Sequence, residues 1–287
     1  MRRLFDWLSR RPLWLLHAIG TGIGWLSWLL SVSYRRRFTA QVRQAGIPTA
    51  VVRRAIGEAG RMVMELPYLW LRPASRPLLD GARVEGAEHV EAAHAQGKGL
   101  VLLTPHLGCF EICAQAYAER FAPQYGPITV LYRPSRQPWL REVMEASRTR
   151  PGLATAPASL AGVRQMMRAL RRGETVGLLP DQVPPDGMGV WAPFFGKPAY
   201  TMTLAARLVQ QTGATPLLIW GERLPGGAGY AVRISPLPEA LPADPAAQAE
   251  SAAVVNRAME QLILGCPQQY LWGYHRYKAP RAASAAE

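Results

Sequence analysis

The chain has 287 residues and a formal net charge of +13, and 49% of its residues are hydrophobic. It is long enough to bury a full core and fits one folded unit with an appended segment. Its basic surplus is almost all arginine, which grips phosphate and is drawn to anionic lipid and acidic proteins. We find no zinc-finger, homeodomain or RNP-like pattern, so the charge favours a membrane surface over nucleic acid. Three cysteines, an odd number, argue against a disulfide framework and for a reducing compartment.

An uncharged segment lies near the N-terminus. The 21 residues from Pro12 to Val32 carry no formal charge, and about 20 helical residues cross a bilayer core. Arginines flank the segment on both sides, so its charges give no orientation. A cleaved signal peptide would have a shorter apolar region and would not be followed by Arg35, Arg36 and Arg37. We therefore expect residues 1–37 to be an uncleaved membrane anchor, either spanning or lying at the interface.

Two helical stretches follow the anchor and are expected to brace the core against the membrane over residues 38–76. The second begins at Pro48-Thr49 and runs to about Leu71. Prolines between residues 72 and 77 end it and mark a domain boundary. We expect a catalytic domain over 77–279 and a disordered tail over 280–287, which is rich in Ala and Ser.

Strand-like and helix-like segments alternate beyond this boundary. The predicted strands lie near residues 99–104, 128–132, 175–179, 215–221 and 230–234, and the predicted helices near 111–120, 139–148, 160–172, 202–211 and 246–264. Such alternation predicts an α/β fold with a mostly parallel central sheet flanked by helices.

A histidine and a glutamate follow the first of these strands, in the segment His106-Leu107-Gly108-Cys109-Phe110-Glu111. The carboxyl ends of strands in open α/β sheets bind ligands, so His106 is a candidate general base. Within one helix the two side chains would point about 140° apart, so their pairing needs a turn at Gly108. A histidine and carboxylate suit acyl transfer to an alcohol. A strand-end histidine bonded to a capping glutamate is the alternative.

Other motifs also follow predicted strands. Tyr132 and Arg133 end one strand, so Arg133 is expected to face the same cleft as His106. Asp181 and Gln182 follow the next strand and can position the acceptor or brace Arg133.

An aromatic segment lies between Gly189 and Gly196. Its Trp191, Phe194 and Phe195 suit an apolar wall for an acyl chain, and packing in the core is the alternative.

A last motif near the end of the chain is Gln269-Tyr270-Leu271-Trp272-Gly273-Tyr274. Taken together in their order along the chain, these motifs resemble those of the glycerolipid and lysophospholipid acyltransferase superfamily. The detailed string is similar to the late acyltransferases of lipid A biosynthesis, and the likeness runs to about Lys278. Two positions depart from the family's usual pattern. Val183 follows Asp-Gln where a charged residue is common, and His275-Arg276 replaces a Lys-Arg pair.

The resemblance implies that a fatty acyl chain passes from an acyl carrier protein thioester to a hydroxyl of a phosphorylated lipid A precursor. That hydroxyl would belong to an existing 3-hydroxyacyl chain, at the cytoplasmic face of the bacterial inner membrane. It implies catalytic roles for His106 and Glu111 and acceptor phosphate binding by Arg133. We expect no metal and no organic cofactor, because the acyl group arrives activated as a thioester.

Other functions remain compatible with the sequence. One is transfer from acyl-CoA or acyl carrier protein to another glycolipid or lysophospholipid. A second is a membrane-associated binding protein that holds anionic lipid without catalysis. Cys109 beside His106 suggests a covalent enzyme, although a free cysteine is more commonly a small packed hydrophobe. An esterase would need a Gly-x-Ser-x-Gly elbow, which the sequence lacks.

Overall fold

The computed structural model describes residues 2–73, 75–132, 137–148 and 150–281. Its helices are α1 (Arg2–Ser9), α2 (Leu13–Leu30), α3 (Val32–Gln44), α4 (Thr49–Met64), α5 (Leu66–Trp70), α6 (Ala87–Ala95), α7 (Phe110–Arg120), α8 (Ala122–Tyr125), α9 (Pro138–Arg148), α10 (Leu160–Arg171), α11 (Leu204–Thr212) and α12 (Gln248–Gly265). Its strands are β1 (Ala82–Glu85), β2 (Leu100–Leu103), β3 (Ile128–Tyr132), β4 (Leu153–Pro157), β5 (Thr175–Leu178), β6 (Gly189–Phe194), β7 (Lys197–Met202), β8 (Thr215–Arg223) and β9 (Tyr230–Pro236). Short 3-10 turns cover Leu78–Gly81, Pro225–Gly227 and Pro267–Gln269.

Seven of the strands form one sheet in the order β1-β9-β8-β2-β5-β3-β4. Neighbouring strands from β8 to β4 run parallel. At the other side of the sheet, β9 pairs antiparallel with β8, and β1 runs parallel to β9. The predicted α/β fold with a mostly parallel central sheet is therefore confirmed.

Helices cover both faces of the sheet. Residues of α10, α11 and α12 join one apolar cluster on it, and residues of α6 and α7 join the other. Because both faces are covered, a central strand must be apolar throughout rather than alternating. In β2 all four residues, from Leu100 to Leu103, are buried.

The N-terminal helices are part of this folded body. On α2, an added Cβ at Gly20 would lie 2.8 Å from the carbonyl oxygen of Gly60, and one at Gly24 would lie 2.2 Å from that of Ile56 on α4. This glycine contact brings the two helix backbones together. On α3, which continues through residue 37, the Gln41 side-chain amide donates to the Trp272 carbonyl at 2.6 Å. The N-terminal helices thus contact each other and the C-terminal part of the chain.

The helix expected from Pro48 to about Leu71 is present as two pieces, α4 and α5. Pro67 lies in the first turn of α5, where its missing N–H is tolerated, whereas inside a continuous helix it would remove a hydrogen bond. The predicted boundary at residues 72–77 lies between α5 and β1.

The aromatic segment at residues 189–196, where the sequence predicted no strand, belongs to a hairpin. Strands β6 and β7 pair antiparallel, and Phe194 lies opposite Lys197. The two connecting residues, Phe195 and Gly196, have φ of 47° and 73°, as a tight primed turn requires. A phenylalanine at position 195 does not predict such a turn from the sequence, since Asn or Gly is the usual residue there.

Candidate active site

His106 lies just beyond the carboxyl end of β2, and its strongest contact is with Asp181. The ring Nδ1 is 2.7 Å from Asp181 Oδ1, and the backbone N–H of His106 donates to Asp181 Oδ2 at 2.9 Å. Asp181 follows β5, which pairs directly with β2 so that Leu103 lies opposite Leu178. Adjacent parallel strands thus bring both residues to one edge of the sheet.

The Asp181 carboxylate is almost fully buried, at 2% side-chain exposure. Burial raises its pKa, but the charge and hydrogen bonds of His106 outweigh burial, so the pKa of Asp181 lies below its usual value. When the imidazole is neutral, an ionised carboxylate accepts a hydrogen bond from Nδ1–H, and Nε2 is then the acceptor nitrogen. The Gln182 side-chain amide lies 3.0 Å from Nε2 and can donate to it. These contacts favour the neutral tautomer of His106 that a general base needs.

The turn between His106 and α7 depends on Gly108. Its φ is 58°, and an added Cβ would lie 2.0 Å from the Gly221 carbonyl oxygen. The Gly108 N–H donates to the Gln269 carbonyl at 3.0 Å, and the Cys109 N–H donates to the Gly221 carbonyl at 2.7 Å. Glycine is thus required here both for its backbone conformation and for the close approach to β8.

Glu111 lies in the first turn of α7, as the sequence predicted. Its carboxylate accepts a hydrogen bond from the Trp70 indole N–H at 3.2 Å, which links α7 to α5. The sequence paired Glu111 with His106, whereas the residue that receives the Nδ1 hydrogen bond is Asp181. The Asp181 carboxylate thus contacts His106, and the Glu111 carboxylate contacts Trp70.

The C-terminal motif, which the sequence left without a role, supports both loops of the site. The Leu271 N–H donates to the His106 carbonyl at 3.1 Å. The Val183 N–H donates to the Tyr274 hydroxyl oxygen at 3.0 Å. Burial above all, and also the nearby Asp181 carboxylate, raise the pKa of Tyr270 well above its usual value. This segment thus braces the loops that carry His106 and Asp181.

The remaining predicted residues are placed differently. Tyr132 ends β3 and is half-buried, and Arg133 lies outside the described residues. Trp191 on β6 is 51% exposed, whereas Phe194 is fully buried in the main apolar cluster. Phe195 packs against that cluster, and its N–H donates to Glu260 at 2.7 Å. The buried position of Phe194 agrees with the packing alternative.

A buried ion pair also contacts the site, and sequence reasoning missed it. Arg223 at the end of β8 contacts Glu65 at 2.9 Å, and both side chains are 1% exposed. Arg223 also bonds Glu58 at 2.7 Å and donates to the Gly108 carbonyl at 2.5 Å. Burial raises the pKa of Glu65, but Arg223 outweighs it and holds that pKa below its usual value. No local pattern marks residues 158 positions apart as partners.

All three cysteines are free and buried. Burial, with smaller contributions from the neighbouring Glu65, raises the pKa of the Cys109 thiol well above its usual value. A protonated buried thiol is a poor nucleophile. Within the described ranges, no group of three His, Cys, Asp or Glu side chains is arranged to hold a metal ion.

A mostly parallel α/β sheet with a His–carboxylate pair at its carboxyl edge is an arrangement that can activate a hydroxyl group. The sequence matches the family described as bacterial lipid A biosynthesis acyltransferase over residues 18–279. The chain therefore belongs to this family and is an acyltransferase.

Individual relatives share the activity but differ in their substrates. The chain is 27% identical over 294 residues to the lipid A biosynthesis lauroyltransferase of Escherichia coli K12, covering 96% of this chain and 92% of that protein. It is 28% identical over 222 residues to the lipid A biosynthesis palmitoleoyltransferase of the same organism, covering 76% and 68%. It is 27% identical over 225 residues to a phosphatidylinositol mannoside acyltransferase of Mycobacterium tuberculosis CDC 1551, covering 74% and 67%.

Proposed function

We propose that this enzyme transfers a fatty acyl chain from an acyl carrier protein thioester to a hydroxyl of a phosphorylated lipid A precursor. The acceptor hydroxyl would belong to a 3-hydroxyacyl chain already on the precursor, so the product carries an acyloxyacyl group. The observation that carries the chemistry is the bond between His106 Nδ1 and Asp181, which makes Nε2 the ring nitrogen that can accept a proton. The family supports the choice of acceptor.

In the proposed mechanism, His106 Nε2 takes the proton of the acceptor hydroxyl as its oxygen attacks the thioester carbonyl. The tetrahedral intermediate then collapses, the carbon–sulfur bond breaks, and the imidazolium returns the proton to the departing thiolate. One ester forms and one thiol is released, with no acyl-enzyme. Gln182 occupies Nε2 in this structure, so we expect the incoming hydroxyl to displace its amide.

The two carboxylates have positioning roles in this proposal. Asp181 orients the imidazole and stabilises its charged form. Glu111 holds the start of α7 against Trp70, and thereby the turn that follows His106. We keep Arg133 as the group that binds acceptor phosphate, with Tyr132 beside it, and Trp191, Phe194 and Phe195 as lining for the acyl chain.

The proposed donor sets the location. Acyl carrier protein is a soluble cytoplasmic donor in this scheme, whereas the acceptor is a membrane lipid, so we place the catalytic domain on the cytoplasmic face of the inner membrane. The apolar helix α2 supports contact with a membrane.

A second function is transfer to another glycolipid or lysophospholipid, with acyl-CoA or acyl carrier protein as donor. A relative named as a phosphatidylinositol mannoside acyltransferase favours keeping this candidate.

The test is an assay of the purified full-length enzyme with matched panels of acyl carrier protein and acyl-CoA thioesters. Each donor is offered a lipid A precursor, a phosphatidylinositol mannoside and a lysophospholipid. The proposal expects turnover with acyl carrier protein and the lipid A precursor, and loss of turnover in His106→Ala. Preference for another acceptor would establish the second function. If the wild type binds these lipids but shows no measurable turnover, and His106→Ala binds them equally well, the protein is a binding protein.

A further inference from the structure

Helix α2 has a buried side and an exposed apolar side. Leu13, Leu16, His17, Gly20 and Gly24 face the protein. The opposite side exposes large apolar residues: Trp14, Ile23, Leu26, Leu29 and Leu30. By length and composition α2 is able to cross a membrane. Whether it does so depends on what lies beside it.

Helix α4 lies antiparallel to α2 in close backbone contact. Gly20 of α2 meets Gly60 and Arg61 of α4, and Gly24 meets Ile56. An added Cβ on Gly60 would be 1.8 Å from the Gly20 carbonyl oxygen. Contact this close leaves no room for lipid between the helices, so any depth that α2 reaches in a bilayer is shared by α4.

The part of α4 that packs beside α2 carries several charged residues. Arg53 and Arg54 are exposed, and neither has a hydrogen bond or an ion pair within the described part of the chain. Glu58 and Arg61 follow on the same helix and pair with each other at 2.6 Å. A spanning α2 would carry these groups into hydrocarbon, where an arginine is strongly disfavoured. The exposed Arg53 and Arg54 therefore argue against a transmembrane placement of α2.

Polar contacts and a turn of the catalytic domain also hold α2 in place. Arg61 Nε donates to Thr21 Oγ1 at 2.8 Å. His17 Nε2 lies 3.4 Å from Glu65, which is the partner of Arg223 at the end of β8. Near the start of α2, an added Cβ on Gly227 would be 2.4 Å from the Trp14 backbone nitrogen. A turn of the catalytic domain therefore contacts α2 near its start, and Arg61 and Glu65 contact it along its middle.

We infer that α2 lies parallel to the bilayer surface, with its exposed apolar side inserted among the lipids of a single leaflet. The enzyme is then attached to one face of the membrane and has no segment across it at α2. Exposed arginines before and after the helix, among them Arg3, Arg10, Arg36 and Arg37, suit anionic headgroups. The inference rests on the proposed function only for its choice of a lipid bilayer as the partner.

The first test determines on which side of the membrane the two ends of α2 lie. Arg3→Cys precedes α2 and Arg36→Cys follows it, before α4 begins, and both positions are exposed. The native cysteines are buried and give a low background. Each full-length variant is labelled with a membrane-impermeant maleimide in spheroplasts and in inverted membrane vesicles. We expect both cysteines to react in the same preparation. Reaction of the two cysteines in opposite preparations would establish a spanning helix and overturn the inference.

The second test measures the apolar contact itself. The purified full-length chain is sedimented with mixed phosphatidylcholine–phosphatidylglycerol vesicles, in the wild type and in the double variant Leu26→Glu, Leu29→Glu. These leucines are 55% and 57% exposed, so the fold tolerates the change. We expect binding to weaken at least about tenfold, as the loss of two inserted leucines predicts. The matched control is Leu160→Glu on α10, which is 72% exposed and should bind as the wild type does.

Unchanged binding of the double variant, or equal weakening in the control, would show that the exposed side of α2 does not contact lipid. Neither test measures acyl transfer. If both cysteines label together but no acyl transfer is found, the proposed function fails and this inference stands. If acyl transfer is found but the cysteines label on opposite sides, the proposed function stands and this inference fails.

Discussion

Asp181 holds His106 at two points, because one carboxylate oxygen accepts from the ring Nδ1 at 2.7 Å and the other accepts from the backbone N–H at 2.9 Å. The first bond sets the tautomer of the imidazole, and the second fixes the loop on which it stands. Since β2 and β5 are direct neighbours, the distance between the two residues is set by the sheet rather than by a flexible connection.

The first prediction separates the two carboxylates of the site. Asp181→Asn keeps the size of the side chain but removes its charge, so kcat should fall by about 10²–10⁴-fold, with little change in either KM. The kcat of Glu111→Gln should fall less than that of Asp181→Asn, because Glu111 contacts Trp70 and Asp181 contacts the ring nitrogen that sets the tautomer. Steady-state kinetics of both variants, with circular dichroism to confirm folding, make the comparison. A larger loss of kcat in Glu111→Gln would support the catalytic role that the sequence predicted for Glu111.

The second prediction concerns the cysteine beside the histidine. Cys109→Ala should keep most of the wild-type turnover, because burial keeps the thiol protonated and its backbone N–H, which is unaffected, makes the bond to Gly221. His106→Ala assayed in parallel is the inactive reference. Loss of activity in folded Cys109→Ala, together with an acylated peptide containing Cys109 in the wild type, would support a covalent mechanism.

Sequence reasoning placed both His106 and Asp181 at carboxyl ends of strands, and that was enough to put them at one edge of the sheet. It could not pair them, because β3 and β4 lie between β2 and β5 in the chain but not in the sheet. Glu111 was nearer in sequence and was chosen as the partner of His106. Strand order depends on how the helices pack across the whole domain, which no local pattern records.

The contacts of the N-terminal helices were equally hidden. The apolar segment was recognisable from its lack of charge. Its partner α4 and the buried Glu65–Arg223 pair are set by tertiary packing. The hairpin at residues 189–202 was missed because aromatic residues and prolines obscured the alternation that marks strands.

The third prediction tests the buried ion pair. Arg223→Met leaves Glu65 buried without its partner, so the free energy of unfolding should fall by about 3–5 kcal/mol. The matched control is Arg233→Met, whose partners Glu85 and Glu222 are partly exposed and whose loss should cost about 1 kcal/mol or less. Urea unfolding of both variants in the same detergent measures the difference. Equal losses would show that the buried pair contributes no more than a surface one.

A second substitution shows whether the loss comes from the uncompensated carboxylate. Adding Glu65→Gln to Arg223→Met removes that charge and should recover part of the lost free energy of unfolding. If the double variant is less stable than Arg223→Met alone, the remaining contacts of Glu65 with His17 and Tyr230 stabilise the fold more than its charge destabilises it.

The fourth prediction concerns Arg133, whose role is inferred from the family resemblance. Arg133→Lys keeps the charge but loses the planar fork that binds phosphate at two points, so the acceptor KM should rise while the donor KM stays nearly constant. An acceptor without the relevant phosphate should be used equally poorly by both enzymes. A rise confined to the donor KM would instead assign Arg133 to acyl carrier protein.

The fifth prediction uses two glycines in the N-terminal helices that differ only in what surrounds them. On α4, an added Cβ at Gly60 would lie 1.8 Å from the Gly20 carbonyl oxygen, whereas at Gly22 on α2 nothing lies within 4 Å. Gly60→Ala must push the two helices apart and should destabilise the protein by about 1–3 kcal/mol. Gly22→Ala adds the same methyl group to an exposed helix position and should stabilise it by about 0.5–1 kcal/mol. Thermal unfolding of the two variants should therefore shift in opposite directions. A shift of the same sign and size in both would mean that the backbones of α2 and α4 are not in contact in the folded enzyme.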